Sequence, residues 1–168
     1  MFRFLIAACL TIVATTARAE IDIKQVTSDG GSNAWVVEEP SIPFIAMDSR
    51  FRGSASLDLP GKRGATNLMM GLLEEGSGEM SAQEFQTALE ALAASYSFRA
   101  FDDTISISAQ FLTENQDEAL ALLQQALVRP TLEQDALDRV RAQVLSGLAR
   151  DATAPNTIAG VAYDAAAI

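Results

Sequence analysis

The sequence predicts an α+β fold in which an antiparallel sheet is covered on one face by helices. Residues 104–112 alternate apolar and polar side chains, which is typical of a strand with one buried face. Residues 65–73 and 85–93 instead repeat apolar side chains every three or four positions, as amphipathic helices do. The order of strands, two helices, a hairpin and further helices favours this layered arrangement.

The first predicted elements are two strands at residues 35–38 and 43–51, which are rich in β-branched and aromatic side chains. Glu39-Pro40-Ser41 separates them as a short connection. A helix follows and ends at Gly76-Ser77-Gly78. Its apolar spacing predicts that the core-facing residues are Ala65, Leu68, Met69, Leu72 and Leu73.

The next predicted elements are a helix and a β-hairpin. Ser81 and Glu84 have the spacing of a capping box at the start of the helix. Residues 96–101 and 104–112 flank Asp102-Asp103, and aspartate tolerates turn geometry. We therefore interpret the two aspartates as a hairpin turn rather than as an acid–base pair.

Two further capping-box spacings, Thr113 with Gln116 and Thr131 with Gln134, predict a third and a fourth helix. Their inward residues are expected to be Leu120, Leu123, Ala126 and Leu127 in the third helix, and Leu137, Val140, Val144 and Leu148 in the fourth. A last Ala-rich helix starts near Thr157 and shows no C-terminal cap. We therefore expect residues 20–168 to be the incomplete N-terminal domain of a longer protein.

Composition excludes several classes of function. The chain has 168 residues, 49% of them hydrophobic, with 12 Lys plus Arg, 22 Asp plus Glu and no His. This length and hydrophobic fraction are sufficient for one domain with a hydrophobic core. The excess of acidic side chains disfavours binding to the phosphates of nucleic acid. The absence of His excludes a His general base and a His-ligated metal.

Residues 1–19 have the features of a secretory signal peptide. A basic start at Arg3 precedes an apolar run, and Ala17-Arg18-Ala19 forms a cleavage site of small residues. The run is too short to favour a membrane anchor, and the sequence around Cys9 does not favour acylation. We expect a soluble periplasmic or secreted protein without a thiol, since Cys9 is the only cysteine of the chain.

The residues that follow the predicted strands resemble a known family. Phe51-Arg52-Gly53-Ser54-Ala55, the loop at 59–64 and the helix at 65–77 resemble the start of the insulinase/pitrilysin-type metallopeptidases, which include mitochondrial processing peptidase. Residues 36–44 are similar to that family's first two strands. Arg129-Pro130-Thr131 and the next helix resemble the segment leading to its third zinc ligand. The resemblance covers about residues 30–168 and implies a metallopeptidase-like half-domain.

The family's inverted zinc motif, H-x-x-E-H, lies on the first helix. Alignment on the glycines at 64 and 76 places the first His at Asn67, the catalytic Glu at Met70 and the second His at Gly71. The third ligand, a Glu in the family, falls at Gly147 or at its neighbour Ser146. No residue at these positions suits zinc, since a neutral Asn amide is a weak ligand. The resemblance therefore implies no catalytic, cofactor-binding or metal residue in this chain.

The helix spacing places the vacated positions on one face with Glu74, opposite the predicted core residues. Met70 and Gly71 there could let another surface pack closely, because Met adapts to irregular gaps and Gly permits near approach. Loss of selection at an inactive site would leave similar residues and explains Met70 and Gly71 equally well. Glu74, Glu75 and Glu79 do not have EF-hand spacing, so we interpret them as a solvated helix end rather than a calcium site.

The sequence and the resemblance together lead to one expected function and one alternative. We expect a non-catalytic, exported subunit that pairs as a heterodimer with a zinc-bearing homologue in peptide hydrolysis. Zinc would belong to the partner, and neither nucleic acid nor membrane would be bound. The alternative is a stand-alone periplasmic binding or scaffold module that retains the peptidase fold without its chemistry.

Overall fold

The computed structural model describes residues 21–167, so the predicted signal peptide with Cys9 lies outside the described residues. The chain divides into two compact units, with the boundary between Ile42 and Pro43. No helix within residues 21–167 is both long and apolar enough to cross a bilayer.

The first unit contains an antiparallel hairpin of β1 (Ile23–Thr27) and β2 (Asn33–Val37). An ion pair of 2.7 Å joins Lys24 Nζ to Glu38 Oε2 beside it. Strand β1 was missed by the sequence analysis because polar Lys24 and Gln25 interrupt its short apolar pattern.

The second unit combines a three-stranded antiparallel sheet, a minimal two-stranded pair and helices. In chain order its strands and α-helices are β3 (Phe44–Arg52), α1 (Ala65–Leu72), β4 (Gly76–Ser77), β5 (Met80–Ser81), α2 (Ala82–Ala91), β6 (Ser95–Ala100), β7 (Thr104–Leu112), α3 (Gln116–Val128), α4 (Gln134–Asp151) and α5 (Pro155–Ala167). Short 3₁₀ turns at Ala55–Leu57 and Thr113–Asn115 precede α1 and α3.

The main sheet has the strand order β3-β7-β6, and all its pairings are antiparallel. In this register Phe111 lies opposite Ile45, and Ile107 opposite Phe98, so their apolar side chains share one face. The other face carries the polar residues of the alternation. The predicted hairpin is confirmed, as is the α+β architecture. The two strands predicted first belong to different sheets, since β2 pairs with β1 and β3 pairs with β7.

The principal core lies between the apolar face of this sheet and helices α1, α2 and α3. Phe85 on α2 and Phe111 on β7 are each 1% exposed. The other buried members of this core are Met70, Leu73, Leu89, Phe98, Ile107, Ala109, Ala119, Leu122, Leu123 and Ala126. A single face of the sheet is therefore covered by helices, as the sequence predicts.

A second, smaller core joins α1 to α4. Leu72 is buried against Ala136 and Val140, with three partly buried residues around them: Leu68, Leu137 and Val144. Helix α1 is consequently buried on two sides, one toward the sheet and one toward α4.

Of the three predicted capping boxes, one is confirmed and two are wrong. At α2 the Ser81 hydroxyl accepts from the Glu84 amide and the Glu84 carboxylate accepts from the Ser81 amide, so the predicted capping box is confirmed. The box predicted at Thr113 is wrong, because residues 113–115 form a 3₁₀ turn and α3 begins at Gln116 without a side-chain cap. The box predicted at Thr131 is also wrong, because Glu133 is the residue before α4 and no side chain caps this helix.

The inward faces predicted for α3 and α4 are partly wrong. On α3, Leu122 is buried whereas Leu120 and Leu127 are exposed, and on α4 Leu148 is exposed. Leucines occur on several sides of α3, so periodicity alone does not select the buried one.

Candidate functional site

The candidate site is built on α1, whose start is held by a distant carboxylate. The residue before the helix is Gly64 with φ of +92°, and it has no side chain to cap the exposed amides. Asp58 takes this role: its oxygens accept from the Gly64 amide at 2.7 Å, the Thr66 amide at 3.2 Å and the Thr66 hydroxyl at 2.6 Å. This carboxylate therefore occupies the positive end of α1.

The hydrogen bond from the Thr66 hydroxyl, with smaller effects of the Gly64 and Thr66 amides, lowers the pKa of Asp58 below its ordinary 3.8. A carboxyl with a lowered folded-state pKa stabilises the fold above its unfolded pKa, and this contribution is lost as the pH falls through the folded value. We expect Asp58→Asn, which removes the charge but keeps an acceptor, to lower stability most at neutral pH. The difference from the wild type should shrink below pH 4 or so in urea titrations. A difference independent of pH would contradict the role of the charge.

The residues predicted to share a face opposite the core, Asn67, Met70, Gly71 and Glu74, do not form one exposed face. Asn67 and Glu74 are exposed, but Met70 is 5% exposed within the principal core, whereas Met69 is 45% exposed. The prediction that Met70 lies opposite the core and that Met69 lies inside is therefore wrong. The reason is that α1 is buried on two sides, which leaves narrow exposed strips rather than half of the helix surface.

Gly71 lies in the contact between α1 and α4. A Cβ atom built on Gly71 would stand 2.7 Å from Val140 Cγ1, closer than side-chain carbons approach each other. Val140 is 4% exposed. The absence of a side chain at residue 71 thus permits the contact between α1 and α4. Gly71 therefore allows another surface to pack closely, and that surface is α4 of the same chain.

The predicted position of the third ligand is more open. Gly147 is half-buried on α4, and a Cβ atom there would meet no atom within 4 Å outside its own helix turn and neighbours. Its alternative, Ser146, is exposed. Among residues 21–167 no group of three Asp, Glu, His or Cys side chains is arranged to hold a metal ion.

Glu74 and Glu75, which follow α1, have different surroundings. Glu75 accepts from Arg139 of α4 at 2.9 Å, and Arg139 also donates to Asp135 at 2.9 Å. This ion-pair network ties the end of α1 to α4. Glu74 lies near Phe98 and Arg99 of β6, and its partial burial raises the pKa of its carboxyl despite the opposing effect of the Phe98 amide. Glu75 is thus structural rather than a calcium ligand or a freely solvated side chain.

The aspartates of the β6–β7 turn also have structural partners. The Asp103 carboxylate accepts a hydrogen bond from the Ser56 hydroxyl at 2.8 Å. The main-chain carbonyl of Asp103 accepts from the Gly53 amide at 2.8 Å. Asp102 accepts from the Ser56 amide through its carbonyl at 2.8 Å. The turn therefore anchors the segment that leads to α1, which agrees with its interpretation as a turn.

A groove along the main sheet was not predicted as a site. It has a volume of about 510 Å³ and is lined by Asp48, Tyr96, Ser97, Ser108 and neighbouring residues of the three strands. The Ser108 hydroxyl and Arg50 lower the pKa of Asp48 through hydrogen bonds of 2.8 and 3.0 Å. The alternation of serines in β7 was its sequence signal. These partners account for the charge of Asp48 without a ligand.

Comparison with known proteins identifies the family. The model of the insulinase family, peptidase family M16, matches residues 53–160, which include the α1 and α4 positions described above. A protein of Helicobacter pylori named Non-peptidase homolog YmxG is 32% identical over 111 residues. These residues are 66% of this chain but 26% of that relative, so the chain spans about a quarter of its length.

Solved structures share the fold at low sequence identity. The peptidase M16 inactive domain from Pseudomonas fluorescens matches 83% of this chain and 34% of its own, with a TM-score of 0.74 and 22% identity. A protease from Helicobacter pylori matches 83% of this chain and 34% of its own, with a TM-score of 0.67 and 18% identity. Pitrilysin matches 80% of this chain and 15% of its own, with a TM-score of 0.66 and 16% identity. The resemblance stated from the sequence is confirmed, and the chain belongs to the insulinase family, peptidase family M16.

Proposed function

We propose that this chain is part of a non-catalytic, exported member of the insulinase family that pairs with a zinc-bearing homologue in peptide hydrolysis. The proposal rests mainly on the residues at the motif positions of α1. Its motif positions hold Asn67, Met70 and Gly71, which supply neither two zinc ligands nor a general base. Zinc that activates water for peptide cleavage would therefore reside in the partner.

Family membership and the names of similar proteins support the non-catalytic part of this proposal. One relative is named a non-peptidase homolog, and one structural neighbour is described as an inactive domain. Export rests on the signal-peptide pattern of residues 1–19. Pairing rests on the family resemblance alone, since a fold that has lost its catalytic residues retains a role in such a family when an active homologue supplies the zinc.

The proposal is tested on the full-length protein, alone and mixed with an H-x-x-E-H homologue from the same cells, such as one encoded beside it. We expect the isolated protein to be periplasmic, to begin at Glu20, to hold no stoichiometric zinc and to cleave no peptide. The mixture is expected to form a 1:1 complex by light scattering, with peptidase activity that depends on both chains.

One control and two possible outcomes separate the parts of the proposal. A homologue whose zinc ligands are replaced should still form the complex but should cleave nothing. One tightly bound zinc per copy of the isolated protein would refute the non-catalytic assignment. Failure of the two chains to associate would favour the alternative, a stand-alone binding or scaffold module.

A further inference from the structure

We infer that the zinc site of this chain is closed by packing, so that restoring the motif residues would not restore metal binding. The implied metal does not fit the described residues, and the disagreement goes beyond missing ligands. Of the four motif positions, Met70 is buried in the principal core and half-buried Gly71 packs against Val140 of α4. This inference concerns α1 and α4 and is independent of the pairing with a homologue.

Residue 70 is the first closed position. Met70 is 5% exposed and belongs to a core whose buried members are all apolar, including Phe85 and Phe111. A glutamate in this place would direct its carboxylate into a cluster of apolar side chains, where burial favours the neutral form. The position that holds the catalytic Glu of the family is thus part of the core here.

Residue 71 is the second closed position. A Cβ atom at Gly71 would already stand 2.7 Å from Val140 Cγ1, and an imidazole needs far more space than one carbon. Val140 is β-branched and lies within a helix, so its χ1 angle has little freedom to move the methyl group away. The contact can open only if α1 and α4 separate.

Two further contacts oppose separation of the two helices. Leu72 is buried against Ala136, one turn before Val140 on α4, and the ion pair from Arg139 to Glu75 joins α4 to the segment that follows α1. A histidine at residue 71 would therefore have to disrupt a packed interface before it could reach a metal.

The other two motif positions are accessible, so packing blocks only residues 70 and 71. Asn67 is exposed, and the space around Gly147 would admit a side chain. A fully restored motif would thus offer two accessible ligands, one fewer than the three protein ligands of a catalytic zinc site.

The direct test is a full-length variant that carries Asn67→His, Met70→Glu, Gly71→His and Gly147→Glu. We expect no stoichiometric zinc by elemental analysis after equilibration with zinc and gel filtration. One zinc per chain together with wild-type circular dichroism would overturn the inference. That result would leave the proposed function intact, because the wild type lacks these ligands whichever way the variant behaves.

A smaller change keeps the inference testable if the quadruple variant does not fold. We expect Gly71→Ala to accelerate amide hydrogen exchange in α1 and α4, and the additional change Val140→Ala to reverse most of that acceleration. Gly147→Ala is the matched control, since the same substitution in open space should leave exchange unchanged or slower. Unchanged exchange in Gly71→Ala, or purely additive effects with Val140→Ala, would overturn the inference.

Discussion

Replacement of Met70 by glutamate is expected to destabilise the protein by roughly 3 kcal/mol or more at neutral pH. Met70 is 5% exposed within a cluster of apolar side chains, so the new carboxylate would lose most of its hydration. Met69 is the matched control, because it is the neighbouring residue on the same helix and is 45% exposed. Met69→Glu should change stability by less than about 0.5 kcal/mol.

The measurement is urea unfolding of the full-length wild type and its variants at several pH values. Burial raises the pKa of a carboxyl, so the penalty of Met70→Glu should decrease as the pH falls toward about 4. Met70→Leu, which conserves volume, should cost less than about 1.5 kcal/mol. Equal effects of glutamate at the two positions would show that the side chain of residue 70 reaches solvent.

The same pair of methionines shows where the sequence stops predicting this site. The segment Leu68-Met69-Met70-Gly71-Leu72-Leu73 has apolar or small residues on every side of the helix, so helical periodicity cannot identify one buried face. Tertiary packing decides it, because the helix is enclosed by the sheet on one side and by α4 on another. The vacated motif could be identified from sequence, whereas its closure required the contact between Gly71 and Val140.

Local sequence patterns predicted an element correctly where the pattern was compatible with only one local structure. Strand β7 alternates strictly between apolar and polar residues, and α2 has both members of its capping box, so both were identified correctly. The cap of α1 could not be found in this way. Asp58 reaches its amides from six residues before Gly64, and sequence rules for caps consider the residue next to the helix. Strand β1 was missed because polar Lys24 and Gln25 interrupt its short apolar pattern.

Truncation of Phe111 to alanine is expected to cost about 3 to 5 kcal/mol, through loss of buried area and formation of a cavity. Phe111 is 1% exposed on β7, the central strand of the main sheet, and it lies opposite Ile45 of β3. Helices α2 and α3 cover the same core, so the cavity would have rigid walls on both sides. Phe51→Ala is the control, since Phe51 is 54% exposed on the edge strand β3.

Denaturant unfolding distinguishes the two phenylalanines by their midpoints. Phe111→Ala should lower the midpoint without a change in m, because a cavity changes stability rather than the surface exposed on unfolding. Phe51→Ala should shift the midpoint far less, since most of that ring is already in contact with water. A large shift for Phe51→Ala would mean that the end of β3 is covered in the full-length protein. A small shift for Phe111→Ala would contradict the assignment of this core as the one that holds α1, and with it the closure of the zinc helix.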